Sequence, residues 1–251
     1  MNNEKTVEPS FFDHLEEFRR RIIYVVIWFI IACLGSYFFK DKILKFAVYP
    51  LSNFQKTPVF VSPLEPFFSI LKLIFFSGLI FSFPFLMFQS YLFVKPALSN
   101  YQTKVLAVCI ACGVILFYTG LGIGYFFLIP YGLQILLSIG KNSISPMITI
   151  GNYLTFLIWM GIIIGFAFQL PVIMFFLGFT EIVEVYWFKK IRKVAYVFIF
   201  AMVAIMTPTT DAISLIIISG IMIFLYEISL IFLDVFFKRK FLKMSKEEQI
   251  S

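Results

Sequence analysis

The sequence predicts an all-α integral membrane protein with six transmembrane helices, of which the last two are short. Hydrophobic residues make up 61% of the 251 residues and the mean hydropathy is +0.94, which excludes a soluble globule. Six apolar runs approach the length needed to cross a hydrocarbon core about 30 Å thick. The runs are apolar on every face, whereas the strands of a membrane barrel alternate between apolar and polar residues.

The apolar runs divide one membrane domain into three segments. We expect an interfacial segment over 1–21, a helical bundle over 22–236 and a basic cytoplasmic tail over 237–251. The fifth run has 14 residues, about 21 Å of helix, which is shorter than the hydrocarbon core. The six runs cover residues 22–39, 67–94, 104–128, 152–178, 194–207 and 212–234.

The segment before the first span has the pattern of an interfacial helix. Apolar side chains recur there at helical spacing, at Phe11, Leu15, Phe18 and Ile22. Acidic residues precede the first apolar run, so the segment does not resemble a cleaved signal peptide. We therefore expect the first span to stay in the mature protein.

Prolines predict the irregular parts of the bundle. The loop at about 40–66 contains Pro50, Pro58, Pro63 and Pro66, too many for regular structure, and we expect it to form a rigid outer cap. Pro84 in the second run and Pro171 in the fourth each remove a helical hydrogen bond. Both helices are expected to bend there.

Basic residues predict that both termini lie on the cytoplasmic side. With the N-terminus inside, 15 of the 21 Lys and Arg residues fall on cytoplasmic segments and six on outer segments. An even number of spans returns the C-terminus to the same side. Topology and anionic lipid thus account for the net charge of +7, without a nucleic-acid partner.

Catalytic and cofactor motifs are absent from the sequence. There is one histidine and no H-E-x-x-H, G-x-S-x-G or phosphate-loop pattern. We expect no catalytic residue, no cofactor and no bound metal. An intramembrane enzyme is disfavoured because no nucleophile is paired with a base.

Two polar residues fall inside the apolar runs, where lipid makes them costly. Gln169 precedes Pro171 and could bind a carbonyl freed by the proline, or serve a function. Glu227 in the sixth run could pair with basic residues near 238–240, or serve a function. Both readings stay open for both residues.

Four charged residues of the interfacial segment form two pairs at i, i+4 spacing: Glu16 with Arg20, and Glu17 with Arg21. Such pairs stabilise a helix by themselves. A carboxylate near the membrane surface is also what a guanidinium ligand requires, because its two oxygens match the planar fork of Arg. Spacing does not decide between these roles.

Several blocks of the sequence resemble the TatC family, the multi-spanning core subunit of the twin-arginine protein translocase. The resemblance runs from about residue 10 to 235. It implies a receptor that binds signal peptides bearing paired arginines at the cytoplasmic face, so that folded proteins cross by the proton-motive force. The blocks are HLEEFRRRI at 14–22, YPL at 49–51, FFSILKL at 67–73, SFPFLMFQSYLFVKPAL at 82–98, FQLPV at 168–172 and MTPTTDAIS at 206–214.

The resemblance assigns signal-peptide binding to five residues. The acidic and arginine positions of the N-terminal motif fall on Glu17 and Arg19. The aromatic residue before the family's A-P falls on Phe93, and Lys95 and Pro96 stand for that A-P. A second acidic position of the family falls on Gln102, which departs from the pattern. Gln accepts a hydrogen bond but carries no charge, so its contact with a guanidinium is expected to be weaker.

The resemblance also implies membrane partners. The chain is expected to recruit the single-span proteins TatB and TatA, and to form a homo-oligomer within a receptor complex in the cell inner membrane. Gln169 matches the polar residue of the family in span four that is associated with the partner helix. Asp211 lies in the T-P-x-x-D turn, and Leu215 stands where relatives often carry Gln.

A different function class remains as an alternative. Intramembrane Gln169 and Glu227, with helices interrupted by proline, also fit a secondary transporter or channel. That reading requires a water-accessible path that joins the two residues.

Overall fold

The computed structural model describes residues 11–52, 58–138, 147–206 and 212–248. These residues form ten α-helices and no named strand; Val59 and Thr149 make one isolated bridge. A 3-10 turn, Lys95–Ala97, joins α3 to α4, and a π-helical turn, Gly124–Leu128, joins α4 to α5. The α-helices are α1 Phe11–Phe38, α2 Lys40–Ser52, α3 Glu65–Val94, α4 Asn100–Ile123, α5 Ile129–Ser138, α6 Ile150–Ala167, α7 Leu170–Phe179, α8 Val185–Lys190, α9 Arg192–Met206 and α10 Ala212–Glu248.

Five described helical segments are long and apolar enough to cross a membrane: His14–Phe38, Glu65–Ala97, Asn100–Ile135, Ile150–Phe179 and Leu215–Phe236. They coincide with the first, second, third, fourth and sixth predicted spans. The predicted fifth span is α9, which at 15 residues falls below that length. The predicted all-α, multi-pass membrane architecture is confirmed.

Residues 11–38 form one continuous helix, so the described part of the interfacial segment and the first span are a single element. This helix packs along α3 in the antiparallel direction. Trp28 stacks on Phe85 at 5.1 Å between ring centroids, and Phe29 on Phe75 at 6.2 Å. Most of the other α1 side chains are exposed and face the space that lipid fills.

The expectation of an irregular outer loop is wrong for residues 40–52, which form α2. Pro50 is tolerated in α2 because only two helical residues follow it, so its ring disturbs only the last turn of the helix. The carbonyl that Pro50 leaves without a helical donor belongs to Phe46, and the hydroxyl of Tyr125 donates to it. A side chain from the π-helical turn thus replaces the missing bond.

A second tyrosine does the same for α3. Pro84 lies inside this 30-residue helix and cannot donate to the carbonyl of Ile80. The Tyr118 hydroxyl of α4 donates to that oxygen at 3.0 Å. A polar group that would be costly in lipid is thereby satisfied by a neighbouring helix.

Helix α6 lies at the centre of the bundle, with most of its side chains buried. Two of its glycines allow close packing. A Cβ on Gly161 would meet the ring of Phe76 at 2.6 Å, and one on Gly165 would meet Phe117 at 2.8 Å. Small residues at these positions bring α3 and α4 against α6.

The fourth span is divided rather than only bent. Helix α6 ends at Ala167 and α7 begins at Leu170, just before Pro171, so residues 168–169 form a turn. Proline restricts the residues before it and removes a donor, which explains the break at this point.

The last two spans were expected to be short: α9 has 15 residues, and the apolar span Leu215–Phe236 has 22, the fewest of the five described candidate spans. Helix α10 spans 37 residues and continues through the described part of the predicted basic tail. The sequence after residue 234 contains no Gly or Pro and is rich in Lys and Phe. Without a helix breaker, the helix extends past its apolar part.

Candidate functional site

The five predicted peptide-binding residues lie at one end of the bundle, which we call the N-terminal end; Arg19 lies on α1, two residues after Glu17. Glu17 is on the second turn of α1, Phe93 at the end of α3, Pro96 in the 3-10 turn and Gln102 in the first turn of α4. The ring of Phe18 lies 5.4 Å from that of Phe93, centroid to centroid, and this contact joins the start of α1 to the end of α3.

The carboxylate of Glu17 is held by Arg21. Nε of Arg21 donates to Glu17 Oε1 at 3.0 Å, and Nη2 binds the same oxygen. Nη1 of Arg21 also donates to Oε1 of Gln89 on α3 at 3.3 Å. The predicted Glu17–Arg21 pair is confirmed, while Gln89 is a member of this cluster that no sequence signal indicated.

The other charges of the same helix segment are exposed. The side chains of Glu16, Arg19 and Arg20 make no described hydrogen bond or ion pair with the cluster, and no ion pair joins Glu16 to Arg20 in the part of the chain that is described. Arg19, the fifth predicted peptide-binding residue, therefore lies near Glu17 in sequence without a described contact to it. Side chains exposed in this way are accessible to a ligand.

Gln102 closes the N-terminus of α4 through a capping box with Ser99. Its Oε1 accepts hydrogen bonds from the Ser99 backbone N–H and hydroxyl, both at 3.1 Å, and the Ser99 hydroxyl oxygen accepts from the Gln102 N–H at 3.4 Å. The S-x-x-Q spacing is the sequence signature of this motif, so the cap could have been predicted. The amide oxygen of Gln102 is thus already engaged in stabilising α4.

A groove of about 730 Å³ opens beside α1 at the turn between α3 and α4. Arg21 lines it from α1, Lys95 and Pro96 line it from the 3-10 turn, and Lys104 lines it from α4. The N-terminal end thus combines a carboxylate already bound to an arginine, exposed aromatic and apolar surface, and several cations.

Gln169 is buried inside the bundle, 5% exposed, at the turn between α6 and α7. Its Nε2 donates to the carbonyl of Gly113 on α4 at 3.0 Å. The described hydrogen bond of Gln169 is thus to α4 and not to a carbonyl freed by Pro171, which was one of the two alternatives left open. Its Oε1 has no described hydrogen-bond donor.

Glu227 takes its partners from α9. Its carboxylate lies 3.4 Å from Nη2 of Arg192 and accepts a hydrogen bond from the Tyr196 hydroxyl. Nearby, Lys189 pairs with Asp234 at 2.7 Å. The cation that pairs with Glu227 is thus Arg192. The side chains of residues 238–240, the other partners considered for Glu227, lie outside the part of the chain that the structure describes.

The remaining predicted partner residues lie on or before α10. Leu215 is half-buried and packs against the hydrophobic core of the chain itself. Asp211 lies outside the described residues. No cluster of three His, Cys, Asp or Glu side chains with metal-binding geometry occurs in the described segments.

These features define a class: a helical multi-pass membrane protein with a polar, cationic groove at one end. A model of the family Sec-independent protein translocase protein (TatC) matches residues 13–220. The chain belongs to the TatC family, and it is a component of the Sec-independent, twin-arginine protein translocase.

Individual relatives match over nearly the whole chain. The TatC protein of Carboxydothermus hydrogenoformans is 32% identical over 231 residues, which cover 92% of this chain and 95% of the relative. That of Koribacter versatilis is 31% identical over 236 residues, covering 92% and 87%. A crystal structure of the twin-arginine translocase receptor TatC in DDM aligns with a TM-score of 0.80 at 26% identity, covering 87% of this chain and 98% of that one.

Proposed function

We propose that the chain is the receptor subunit of the translocase and binds paired-arginine signal peptides at its N-terminal end. The observation that carries this proposal is the Glu17 carboxylate, held by Arg21 beside the ring contact of Phe18 with Phe93. The structure solved for a relative is described as a translocase receptor, which supports the same role. Recognition of this kind is non-covalent and needs no catalytic residue.

The geometry suggests how a peptide arginine is accepted. Arg21 and a peptide guanidinium offer the same planar fork to the Glu17 carboxylate. A peptide arginine therefore competes with Arg21, which retains Gln89 as a second acceptor when it is displaced. Phe93 and Pro96 offer apolar surface to the peptide next to the carboxylate, Arg19 borders the site from α1, and Gln102 keeps the first turn of α4 in place.

The partners proposed for the receptor are TatB- and TatA-like single-span proteins. Gln169 supports this proposal, because its buried amide oxygen has no described donor and a donor from a partner helix would complete its hydrogen bonds. We assign Leu215 on α10 to the same proposed partner surface, together with Asp211, which precedes α10 in the sequence. We place the chain in the cell inner membrane, with both termini cytoplasmic and a homo-oligomer within the receptor complex.

Transport of a small solute is less well supported than protein translocation. Gln169 binds Gly113, and Glu227 binds Arg192 and Tyr196, so each polar group has a partner inside the bundle. Each residue therefore has a hydrogen-bond partner within the bundle that does not require an ion pathway.

A binding assay with an isolated peptide tests the proposal. Vesicles containing the full-length protein are titrated with a fluorescent paired-arginine signal peptide, and in parallel with the same peptide in which both arginines are lysine. We expect saturable binding of the arginine peptide and much weaker binding of the lysine peptide, since lysine cannot make the bidentate contact. Equal binding of the two peptides would contradict guanidinium recognition.

A further inference from the structure

The groove at the N-terminal end has an unusual charge for a surface that also receives a cationic peptide. Among its described lining residues are the cations Arg21, Lys95 and Lys104, and no carboxylate. Arg21 is bound to Glu17, but Lys95 and Lys104 are exposed and have no described ion pair or side-chain hydrogen bond. Two free ammonium groups therefore face one cavity.

The polar groups between these lysines add to the capacity for an anion. Asn100 and Thr103, from the first turn of α4, line the same groove. The Thr103 hydroxyl already donates to the carbonyl of Ser99 at 3.0 Å, whereas the Asn100 side-chain amide has no described hydrogen bond and can donate to a ligand. Both lie at a helix N-terminus, where the helix dipole also favours negative charge. A phosphate is a ligand that uses cations and neutral donors together.

The surface next to the groove indicates where such a phosphate comes from. Below Lys104 on the same face of α4 lie Val108, 62% exposed, and Ile115, 64% exposed. The distance along the helix from Lys104 to Ile115 is about 16 Å at 1.5 Å per residue, close to half of the roughly 30 Å hydrocarbon core. One leaflet of lipid therefore fits this face, with its headgroup level with Lys104.

We propose that this groove binds the phosphate of an anionic phospholipid from the leaflet in which α1 begins. Lys95 and Lys104 bind the phosphate from opposite sides, and the acyl chains lie on the exposed face of α4. Basic pockets between transmembrane helices bind anionic headgroups in this manner. Neither lysine belongs to the residues assigned to the signal peptide, so lipid binding is measurable without it.

The test uses the full-length protein in a neutral detergent and calorimetric titration with dioctanoyl phosphatidylglycerol. We expect the double substitution Lys95→Gln with Lys104→Gln to weaken binding about thirtyfold, on the order of fivefold for each cation. A matched control, Lys42→Gln with Lys45→Gln, removes the same charge from exposed positions on α2 and is expected to leave binding unchanged. Lys95→Arg with Lys104→Arg keeps the charge and is expected to keep most of the affinity.

Two further titrations distinguish an anionic phospholipid from a neutral lipid and from a soluble anion. Dioctanoyl phosphatidylcholine has a phosphate but no net charge, and inorganic phosphate has no acyl chains; both are expected to bind at least tenfold more weakly than the phosphatidylglycerol. Equal affinity for phosphatidylcholine would reduce the site to an apolar contact, and equal affinity for inorganic phosphate would make it a site for a soluble anion. Equal losses in the groove and control variants would also overturn the proposal.

Discussion

The two ends of the bundle differ in how their polar side chains are bound: to the backbone of other elements at one end, and to other side chains at the other. At the end that contains α2, the carboxylate of Glu65 accepts the backbone N–H groups of Val61 at 2.9 Å and Gly151 at 2.8 Å. The Tyr153 hydroxyl of α6 donates to the carbonyl of Ala47 at 2.6 Å. At the N-terminal end, Glu17 is held only by side chains, and Lys95 and Lys104 have no described ion pair.

This difference is consistent with a structural role for the α2 end and with the recognition role that we propose for the N-terminal end. Bonds between a side chain and the backbone of another element fix the chain, and breaking them leaves buried groups unsatisfied. Bonds between flexible, partly exposed side chains can be exchanged for bonds to a ligand at little cost. We therefore expect substitutions at the α2 end to lower the stability of the bundle, and substitutions at the N-terminal end to weaken the proposed binding of the signal peptide.

The largest effect on recognition is expected at Glu17. A hydrogen bond to a charged group contributes about 1.5–3 kcal/mol, so Glu17→Ala is expected to weaken binding of the paired-arginine peptide tenfold or more. The loss should be larger at low salt, where exposed charges are less screened. Peptide titrations of the unaltered protein and of Glu17→Ala over a salt series check this, with the exposed Glu16→Ala as control. Unchanged affinity would leave Glu17 only its helix-stabilising pair with Arg21.

At the α2 end, Tyr153→Phe is expected to lower stability without altering peptide binding. The substitution leaves the buried carbonyl of Ala47 without that donor, which costs about 1–3 kcal/mol. Thermal unfolding in detergent measures the loss. Tyr131→Phe is the control, because Tyr131 is 55% exposed and its hydroxyl has no described hydrogen bond. A loss of peptide affinity at unchanged stability would remove the distinction between the two ends.

Gln169→Leu tests whether the buried amide in the middle of the bundle binds a partner helix. Intramembrane hydrogen bonds contribute about 0.6–2 kcal/mol, so the variant is expected to retain roughly three- to thirtyfold less of a TatB-like partner on copurification. The exposed Gln134→Leu on α5 serves as control. If Gln169→Leu lowers thermal stability and leaves copurification unchanged, Gln169 serves only its bond to Gly113.

The smallest effect is expected from Gln102→Glu, on the order of a fivefold gain in peptide affinity from one added, partly exposed charge. Glu is a normal partner of Ser in a capping box, so the cap with Ser99 is retained. The gain should shrink as salt is raised. Affinity unchanged at every salt concentration would place Gln102 outside the docking surface.

The length of the apolar runs was sufficient to predict the membrane helices, because lipid requires long apolar segments. The prolines misled the prediction for α2, since the hydroxyl of Tyr125 replaces the hydrogen bond that Pro50 removes, and that contact joins residues 79 positions apart. The Glu17–Arg21 pair was local and predictable, whereas Gln89 joins it from another helix, 68 residues from Arg21. Sequence spacing carries no information on such pairings.

Site-specific photocrosslinking tests most directly whether the N-terminal end is the receptor site. A photoreactive residue replaces Glu17 in one variant and Gln102 in another, and Val59 at the α2 end serves as control. With a paired-arginine signal peptide, we predict crosslinks from position 102, weaker crosslinks from position 17 because its carboxylate is lost, and none from position 59. Crosslinks from position 59 alone, or equal crosslinking by a peptide without arginines, would contradict recognition at the N-terminal end.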